Sequence, residues 1–261
     1  MTQYLSITSG KGGVGKSSIT VNLAAALTKQ GFRTAIIDAD VHGFSIPALL
    51  GLRLHEGELV QKVDGAIKPP EPFGIPAISI GMFLDKDEPV AWRGPMLHRT
   101  LEQFLSEVNF GDPDYVLLDL PPGTGDMVIS VGQLLHQASS VVITTPQPSA
   151  SSIAWRSASV LAKSGQPIIG IIENMSAATI NGVPVDLFGS GGGAQLAEQL
   201  SDATHTSVPL LGTIPLDPAL RLAGDDGEPL IFRDPESPAA QAIMQIAEQI
   251  SQKLPSPSGT D

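Results

Sequence analysis

The sequence of 261 residues contains no cysteine. Without a thiol, the chain cannot form a disulfide, a thiolate zinc site, a cysteine nucleophile or a cysteine-ligated iron–sulfur cluster. Any function must therefore rest on other side chains and on the backbone.

Basic residues are also scarce, since 15 Lys and Arg stand against 27 Asp and Glu and give a net charge of −12. Non-specific DNA binding depends on Lys and Arg that release counterions from the phosphates, so this balance argues against a nucleic-acid partner. No window approaches 18 uninterrupted apolar residues, which argues against a membrane span. The stretch MTQYLSITSG lacks the basic and apolar regions of a secretion signal. We therefore expect a globular protein of the cytoplasm without a membrane partner.

Apolar runs alternate with helical patterns along the chain. Each run is nearly continuous in apolar residues, as expected for strands that are buried on both faces of a parallel sheet. The predicted strands cover residues 4–8, 33–40, 115–120, 141–145, 168–172 and 210–214. The predicted helices cover residues 17–30, 99–108, 127–137, 150–164, 194–200 and 238–254. This alternation predicts an α/β fold with a doubly wound, mostly parallel sheet flanked by helices and ligands at the carboxyl ends of the strands.

The sequence has neither an internal repeat nor a linker, and it predicts a single domain over residues 1–254. Residues 54–80 are rich in Gly and Pro and are predicted to form an excursion with a short hairpin. The tail 255–261, PSPSGTD, is predicted to be disordered.

The segment GKGGVGKS, from Gly10 to Ser17, matches the phosphate-binding pattern G-x-x-x-x-G-K-[ST] between a predicted strand and a predicted helix. Glycines let the backbone curl so that successive N–H groups converge on a phosphate, and the following helix adds its positive dipole end. Lys16 can reach the β- and γ-phosphates, and the Ser17 hydroxyl can bind Mg²⁺. The predicted ATP-binding residues of this loop are Gly10, Lys11, Gly12, Gly13, Val14, Gly15, Lys16, Ser17 and Ser18. The fold is therefore expected to be that of a P-loop NTPase; a glycine-rich turn that merely precedes a helix is the weaker alternative.

Acidic residues end two of the predicted strands. Asp119 ends the apolar run YVLLD as the acid of a Walker B strand does, and would hold Mg²⁺, whereas its alternative role is a helix cap or a solvated strand end. Asp40 ends the segment DAD and completes the predicted metal set of Ser17, Asp40 and Asp119, although Asp is also common in turns after strands. Gly123 follows two prolines, and its N–H is predicted to lie near the γ-phosphate.

The second lysine, Lys11, gives the loop the deviant Walker A pattern K-G-G-x-G-K-[ST]. The chain resembles the Mrp/ApbC family of iron–sulfur cluster carrier ATPases, in the superfamily of MinD, ParA and the nitrogenase iron protein. The segments that carry the resemblance are DADVHGFSIPALLG (38–51), WRGPMLHRTLEQFL (92–105), DYVLLDLPPGTGD (114–126), VVITTPQ (141–147), GIIENMS (170–176), LFGSGGG (187–193) and LLGTIPLDPALR (210–221).

The resemblance implies a homodimer in which two subunits face each other across two nucleotides. It implies that Lys11 reaches the phosphates held by the partner subunit, so that Lys11, Lys16 and Asp40 form the catalytic set, with Asp40 positioning or deprotonating the attacking water. Asn174 matches the position expected to hydrogen-bond adenine, and Pro215 to Asp217 resembles the second wall of the base pocket. For Asn174 the alternative is a turn-forming residue after a strand.

The family usually carries a C-P-x-C pair that holds a bridging [4Fe–4S] cluster between the subunits. Here the two places fall near Ile180 and Val183, and neither residue can ligate iron. The five histidines, among them His42 in the DADVHG segment, are scattered without ligand spacing. The cluster is thus implied by the family and denied by the residues.

These observations predict an Mg²⁺-dependent, ATP-binding and ATP-hydrolysing homodimeric switch of the Mrp/ApbC type, with iron–sulfur assembly proteins as its clients and without direct cluster carriage. The alternative is a MinD- or ParA-like positioning ATPase that acts through a protein, membrane or DNA partner.

Overall fold

The structure, a computed structural model, describes residues 1–41, 43–53, 60–63, 65–83, 94–123, 126–180 and 182–255. The strands in this part of the chain are β1 (Gln3–Ser9), β2 (Thr34–Asp38), β3 (Gln61–Val63), β4 (Ala66–Lys68), β5 (Ala77–Ser79), β6 (Tyr115–Asp119), β7 (Ser139–Thr144), β8 (Ile168–Ser176), β9 (Ala178–Ile180), β10 (Val183–Val185) and β11 (Leu210–Pro215). The α-helices are α1 (Lys16–Lys29), α2 (Ile46–Leu49), α3 (Gly94–Glu107), α4 (Asp126–Leu134), α5 (Pro148–Lys163), α6 (Gly192–Thr204), α7 (Pro218–Asp225), α8 (Leu230–Arg233) and α9 (Pro238–Lys253).

Seven of these strands form one sheet in the order β11-β8-β7-β1-β6-β2-β5, and all neighbouring pairs are parallel. β1 lies at its centre, where Leu5 is in register with Leu117 of β6 on one side and Ser139 of β7 on the other. The chain leaves β1 at its carboxyl end and enters α1 directly after the glycine-rich loop. The loop therefore sits where the winding of the sheet reverses direction, the usual ligand position in such folds.

Both faces of the sheet are covered by helices, which explains the continuous apolar runs of its strands. Leu117 belongs to the apolar cluster formed with α1 and α9, whereas the next residue, Leu118, belongs to the cluster formed with α3 and α4. A further cluster, between β7, β8, α5 and α6, includes Ala158 and Leu200. Successive strand residues point to opposite faces, so both of them must be apolar here.

The predicted α/β fold is confirmed, and each predicted strand and helix overlaps an element of the structure. The short hairpin predicted within residues 54–80 is present as β3 and β4, but the same region also supplies β5, the parallel edge strand beside β2. The hairpin of β9 and β10 and the short helices α2, α7 and α8 had no counterpart in the predictions, because elements of three to eight residues carry too little periodicity to be read. The single domain remains a prediction. His42, residues 54–59 and most of the predicted disordered tail (256–261) lie outside the described residues.

The last helix, α9, uses its apolar face inside the protein. Ile243, Ile246 and Ile250 are buried in the cluster with α1, and Gln249 donates a hydrogen bond to the Leu211 carbonyl of β11 at 2.8 Å. In the part of the chain that the structure describes, no helix has the length and apolar character needed to cross a bilayer.

The glycine-rich loop touches α5 at Gly10. A Cβ atom added to Gly10 would lie 2.3 Å from the Ala154 nitrogen and 2.5 Å from the Ile153 carbonyl carbon, both of them backbone atoms. Only a residue without a side chain lets the loop and α5 approach so closely.

We predict that Gly10→Ala destabilises the protein by about 1–3 kcal/mol or more, the usual cost of overpacking, because backbone has to move. Gly12→Ala is the matched control, since a Cβ at Gly12 would meet no described heavy atom within 4 Å. Urea unfolding of both variants measures the difference. Equal losses of stability in the two variants would contradict the close approach.

Candidate functional site

The loop between β1 and α1 is held in its curled form by backbone geometry and by one side chain. Gly15 has a φ of 85° and caps α1 in the left-handed conformation. The Asn174 Nδ2 atom donates a hydrogen bond to the Val14 carbonyl at 2.8 Å. A Cβ atom on Gly15 would lie 2.4 Å from the same Nδ2 atom. Asn174, near the carboxyl end of β8, is therefore bound to the phosphate loop itself.

A buried ion pair lies beneath the loop. The Lys16 Nζ atom is 2.7 Å from Asp119 Oδ2 and 3.5 Å from Asp40 Oδ2. Lys16 is 6% exposed and Asp119 is fully buried. A buried charge is tolerated when it is paired and hydrogen-bonded, and the ammonium group satisfies both conditions for the two acids.

Two hydroxyl groups of α1 complete the surroundings of Asp119. Ser17 Oγ donates to Asp119 Oδ2 at 2.6 Å, and Thr20 Oγ1 donates to Asp119 Oδ1 at 2.8 Å. Both carboxylate oxygens are therefore bound by the helix that follows the phosphate loop. Through these contacts the end of β6 and the start of α1 are fixed to each other.

A second buried acid, Asp38, organises the segment that carries Asp40. The Asp38 carboxylate accepts the Asp40 N–H at 3.1 Å, the Ile46 N–H at 3.3 Å and the Ser79 hydroxyl at 3.0 Å. Burial and the charge of the neighbouring Asp119 raise the pKa of Asp38 to about 8. The raised pKa favours the protonated form of Asp38 and so reduces the negative charge of the acidic cluster.

Two cavities meet at the loop. The first, of about 400 Å³, is lined by Ser9, Lys11, Gly12, Gly13, Gly15, Lys16, Ser17, Ser18, Asp40, Gly43, Ser45 and Pro122. The second, of about 430 Å³, is lined by Gly15, Ser18, Ser45, Ala48, Leu49, Asn174, Met175, Pro215, Leu216, Asp217, Leu220, Arg221, Gly224 and Asp225. Gly15, Ser18 and Ser45 line both, so the two cavities are adjacent. The first cavity contains the two lysines of the loop, and the second combines Asn174 with the apolar side chains of Met175 and Leu216, an arrangement that matches the phosphate and base ends of a nucleotide.

The structure brings most of the predicted site residues together. Seven residues of the loop and Asp40 line the first cavity, and Asn174, Pro215 and Asp217 line the second. Val14 contributes its carbonyl to Asn174, and Gly10 contacts α5 instead of the cavity. The roles given to these residues stay predictions.

Gly123 and Asp217 make contacts that the sequence did not predict. The Gly123 N–H donates to the Ser9 carbonyl at 2.9 Å, so a contact with a phosphate requires this bond to open. The Asp217 carboxylate caps α7 by accepting the Ala219 N–H at 2.9 Å. Asp217 therefore lines the second cavity, and its carboxylate already accepts a hydrogen bond from the backbone.

Several residues of the site escaped the sequence predictions. Thr20 lies one helical turn after Lys16, so helical spacing was a usable signal for it. Gln147, which accepts a hydrogen bond from Lys11, belongs to the VVITTPQ segment, but its contact depends on β7 lying next to β1. Ser45, the N-cap residue of α2, and Met175, near the end of β8, lie in the DADVHGFSIPALLG and GIIENMS segments, but nothing in these segments marked them as residues that line a cavity.

The acids and the hydroxyl fit Mg²⁺. This ion prefers hard oxygen ligands, and the Ser17 hydroxyl lines the first cavity while the buried Asp119 carboxylate lies directly behind it, within hydrogen-bond distance. Among the described residues, no group of three or more His, Cys, Asp or Glu is arranged to hold a metal unaided. This agrees with an ion that takes one or two protein ligands and completes its shell with phosphate oxygens and water.

The places of the C-P-x-C pair do not fit a cluster. The backbone of Ile180 is paired with Val183 across the hairpin of β9 and β10, and the Val183 side chain is 59% exposed. Iron–sulfur clusters require thiolate ligands, and the whole chain offers none. A cluster bound by cysteines of this chain therefore takes no part in its chemistry.

In the second glycine-rich segment, LFGSGGG, the N-terminus of α6 binds a carboxylate of the protein itself. The Gly193 N–H at the start of α6 donates to Glu173 Oε2 at 2.6 Å, and Glu173 is 4% exposed. The carboxylate takes the place that an anion would occupy at a helix N-terminus. This contact joins the end of β8, next to Asn174, to α6.

A parallel sheet with a G-x-x-x-x-G-K-S loop after its central strand, and a strand-ending acid beside the lysine, defines a P-loop NTPase. Residues 1–251 match the ParA family of NUBPL iron-transfer P-loop NTPases, and the chain belongs to this family. The family resemblance predicted from the sequence is thereby confirmed.

The curated relatives are named iron–sulfur cluster carrier proteins. The relative from Mycobacterium leprae is 47% identical over 254 residues, which are 97% of this chain and 65% of the relative. The relative from Synechocystis is 41% identical over 254 residues, 96% of this chain and 70% of the relative. The chain thus spans less than two thirds of the length of the Mycobacterium leprae relative.

Two solved structures carry nucleotide in similar folds. A nucleotide-binding protein from Archaeoglobus fulgidus in complex with ADP is 32% identical, with a TM-score of 0.71 and 86% of each chain covered. The septum site-determining protein MinD from Pyrococcus horikoshii, complexed with Mg-ADP, is 26% identical, with a TM-score of 0.68 and 97% of each chain covered.

We predict that Thr20→Val lowers the free energy of unfolding by about 1–3 kcal/mol, because a buried oxygen of Asp119 loses its donor. Thr20→Ser is the control, since it keeps the hydroxyl and removes one methyl group, worth about 0.8 kcal/mol. Chemical denaturation compares the two. A Val variant at least as stable as the Ser variant would rule out this role of the hydroxyl.

Proposed function

We propose that the protein is an Mg²⁺-dependent ATPase that works as a homodimeric switch in iron–sulfur assembly without holding a cluster through cysteines of its own. The observation that carries the proposal is the position of Lys16, which lies between Asp119 and Asp40 and lines the first cavity beside the phosphate loop. A cation between two acids beneath a phosphate loop is an arrangement that can bind and cleave a nucleoside triphosphate.

The phosphate side of the reaction follows from the residues around this cavity. Lys16 exchanges its contact with Asp119 for the β- and γ-phosphates, while the loop N–H groups bind the phosphate oxygens. Ser17 and Asp119 would hold Mg²⁺, and the ion when bound would supply positive charge beside the transferred phosphoryl group. The release of Lys16 would leave Asp119 buried and unpaired, so occupation of the metal site and movement of the lysine are coupled.

The water side of the reaction rests on Asp40 and Lys11. Asp40 is 7% exposed and lines the cavity, where its carboxylate can orient or deprotonate the attacking water. Lys11 lies at the mouth of the same cavity. From the partner subunit, its ammonium group would neutralise charge that develops on the phosphoryl group, a role worth roughly 10³–10⁵ in rate for arginine fingers.

Asn174 supports adenine as the base. Its Nδ2 atom gives one hydrogen to the Val14 carbonyl, which leaves the second hydrogen and Oδ1 available. Adenine offers an acceptor at N7 and a donor at N6, whereas guanine offers two acceptors along that edge. An amide therefore suits adenine, and Met175, Leu216 and Leu220 supply apolar walls for the ring.

The relatives support the assignment to iron–sulfur assembly. The curated relatives are named iron–sulfur cluster carrier proteins, and the Archaeoglobus fulgidus relative binds ADP. We extend this to client proteins in the cytoplasm that receive or hand over a cluster as the switch changes its nucleotide state.

We predict that Lys16→Ala loses ATP binding and hydrolysis, and that Lys11→Ala binds ATP but hydrolyses it roughly 10³–10⁵-fold more slowly. Lys163→Ala, at the exposed end of α5, is the matched control and should behave as the unchanged protein. Phosphate release and equilibrium binding of a fluorescent ATP analogue measure the two properties. Undiminished hydrolysis by both the Lys16 and Lys11 variants would refute the proposal.

We predict that the protein purified under native, anaerobic conditions carries no iron and sulfide in fixed proportion to the chain. The positive control is the double variant Ile180→Cys with Val183→Cys, which returns thiols to the two places of the pair. Iron, sulfide and co-purified proteins are analysed in both. A cluster bound by the unchanged chain would contradict the proposal that the protein holds no cluster of its own.

A second candidate is a MinD- or ParA-like positioning ATPase, favoured by the similarity to Pyrococcus horikoshii MinD and by the absence of cysteine. A membrane contact through α9 would require its buried apolar face to leave the sheet. Division or partition proteins recovered in the same native purification, in place of iron–sulfur proteins, would favour this candidate.

A further inference from the structure

Lys11 has a partner within its own subunit. Its Nζ atom donates a hydrogen bond to Gln147 Oε1 at 3.1 Å. Both residues are half-buried, and each follows the carboxyl end of a sheet strand, Lys11 after β1 and Gln147 after β7. Because these two strands are neighbours in the sheet, their ends lie side by side.

The side chain of Gln147 is available for this contact because its backbone already serves α5. Gln147 is the N-cap residue of α5, and its carbonyl accepts the Ala150 N–H at 2.9 Å and the Ser151 N–H at 3.2 Å. Pro148 follows as the first helical residue and has no N–H to satisfy. In the described part of the chain, the Gln147 side chain makes no capping bond.

The distance between the two residues is built into the fold. Gly10, next to Lys11, packs against the backbone of Ala154 in α5, the helix that Gln147 begins. The Ser9 hydroxyl donates to the Lys11 carbonyl at 3.1 Å and fixes its backbone from the other side. The loop, α5 and the end of β7 thus hold Lys11 within reach of Gln147.

We propose that Gln147 is a positioning residue that holds Lys11 in its own subunit until the dimer closes. The inference rests on the proposed function, in which Lys11 serves the nucleotide of the partner subunit. In this proposal Lys11 leaves the Gln147 side chain of its own subunit to reach the phosphates of the partner subunit, so closure breaks the contact. Each subunit then resists closure by the strength of that one hydrogen bond.

The chemistry of the acceptor suits a reversible hold. An amide oxygen attracts an ammonium group through its dipole, whereas a carboxylate at the same place would attract it through a full charge. Replacing Gln147 by Glu should therefore tighten the hold, and replacing it by Ala should abolish it. The two variants are expected to act in opposite directions.

The first test does not depend on hydrolysis. Acetylation of the Lys11 amine by acetic anhydride is followed by peptide mass spectrometry on the nucleotide-free protein, with Lys163 as the internal control. We expect Gln147→Ala to raise the rate at Lys11 about 3- to 10-fold, in line with the loss of one ordinary hydrogen bond, and Gln147→Glu to lower it. An acetylation rate at Lys11 that is unchanged in both variants overturns the proposal that Gln147 holds Lys11.

The second test measures the ATPase rate against protein concentration. Gln147→Ala should shift the half-maximal concentration down, and Gln147→Glu should shift it up, by similar factors. A general structural defect would move both variants in the same direction, and that result overturns the proposal even if the labelling rates differ. An unchanged labelling rate leaves the proposed function intact. Full hydrolysis by Lys11→Ala removes the catalytic role of Lys11 and with it the purpose of the contact with Gln147, and it refutes the proposed function only if Lys16→Ala also hydrolyses ATP at the full rate.

Discussion

The buried carboxylate of Asp119 is the constraint on which the rest of the site depends. A fully buried charge must be paired, and here Lys16 pairs it while Ser17 and Thr20 bind its two oxygens. All three partners come from the first two turns of α1. The acid therefore fixes the helix that follows the phosphate loop, and it does so partly with Lys16 and Ser17, which the proposed function assigns to the nucleotide and its Mg²⁺. In the proposed function, binding of the nucleotide and rearrangement of the buried charges are therefore one event.

Much of this architecture could be predicted from the sequence because its signals are local. The loop motif, the acid that ends an apolar strand and the alternation of strands with helices each occupy a short stretch. The short edge strand β5 and the hairpin of β9 and β10 could not be read, since three residues do not define a period. The contact of Lys11 with Gln147 required the order of strands in space, which no local pattern contains.

The family implies an iron–sulfur cluster, whereas this chain has no cysteine to bind one. The nucleotide site and the expected cluster site lie in different parts of the structure. The nucleotide half of the family pattern is retained around β1, β2 and β6. The places of the missing cysteines lie at the hairpin of β9 and β10, where aliphatic residues stand instead. Glu173 links the strand that leads to this hairpin with α6, and its neighbour Asn174 lines the second cavity. A loss of ligands at the hairpin thus leaves the connections to the nucleotide site in place.

The central position of β1 also governs how the chain can be made. The two neighbours of β1 in the sheet begin only at Tyr115 and Ser139, far along the chain from β1 itself. At about 5–20 residues per second, synthesis of the intervening chain takes on the order of 10 s. During that time β1 and its glycine-rich loop lack the two strands that flank β1 in the finished sheet. The phosphate loop is therefore synthesised well before the strands that complete its surroundings.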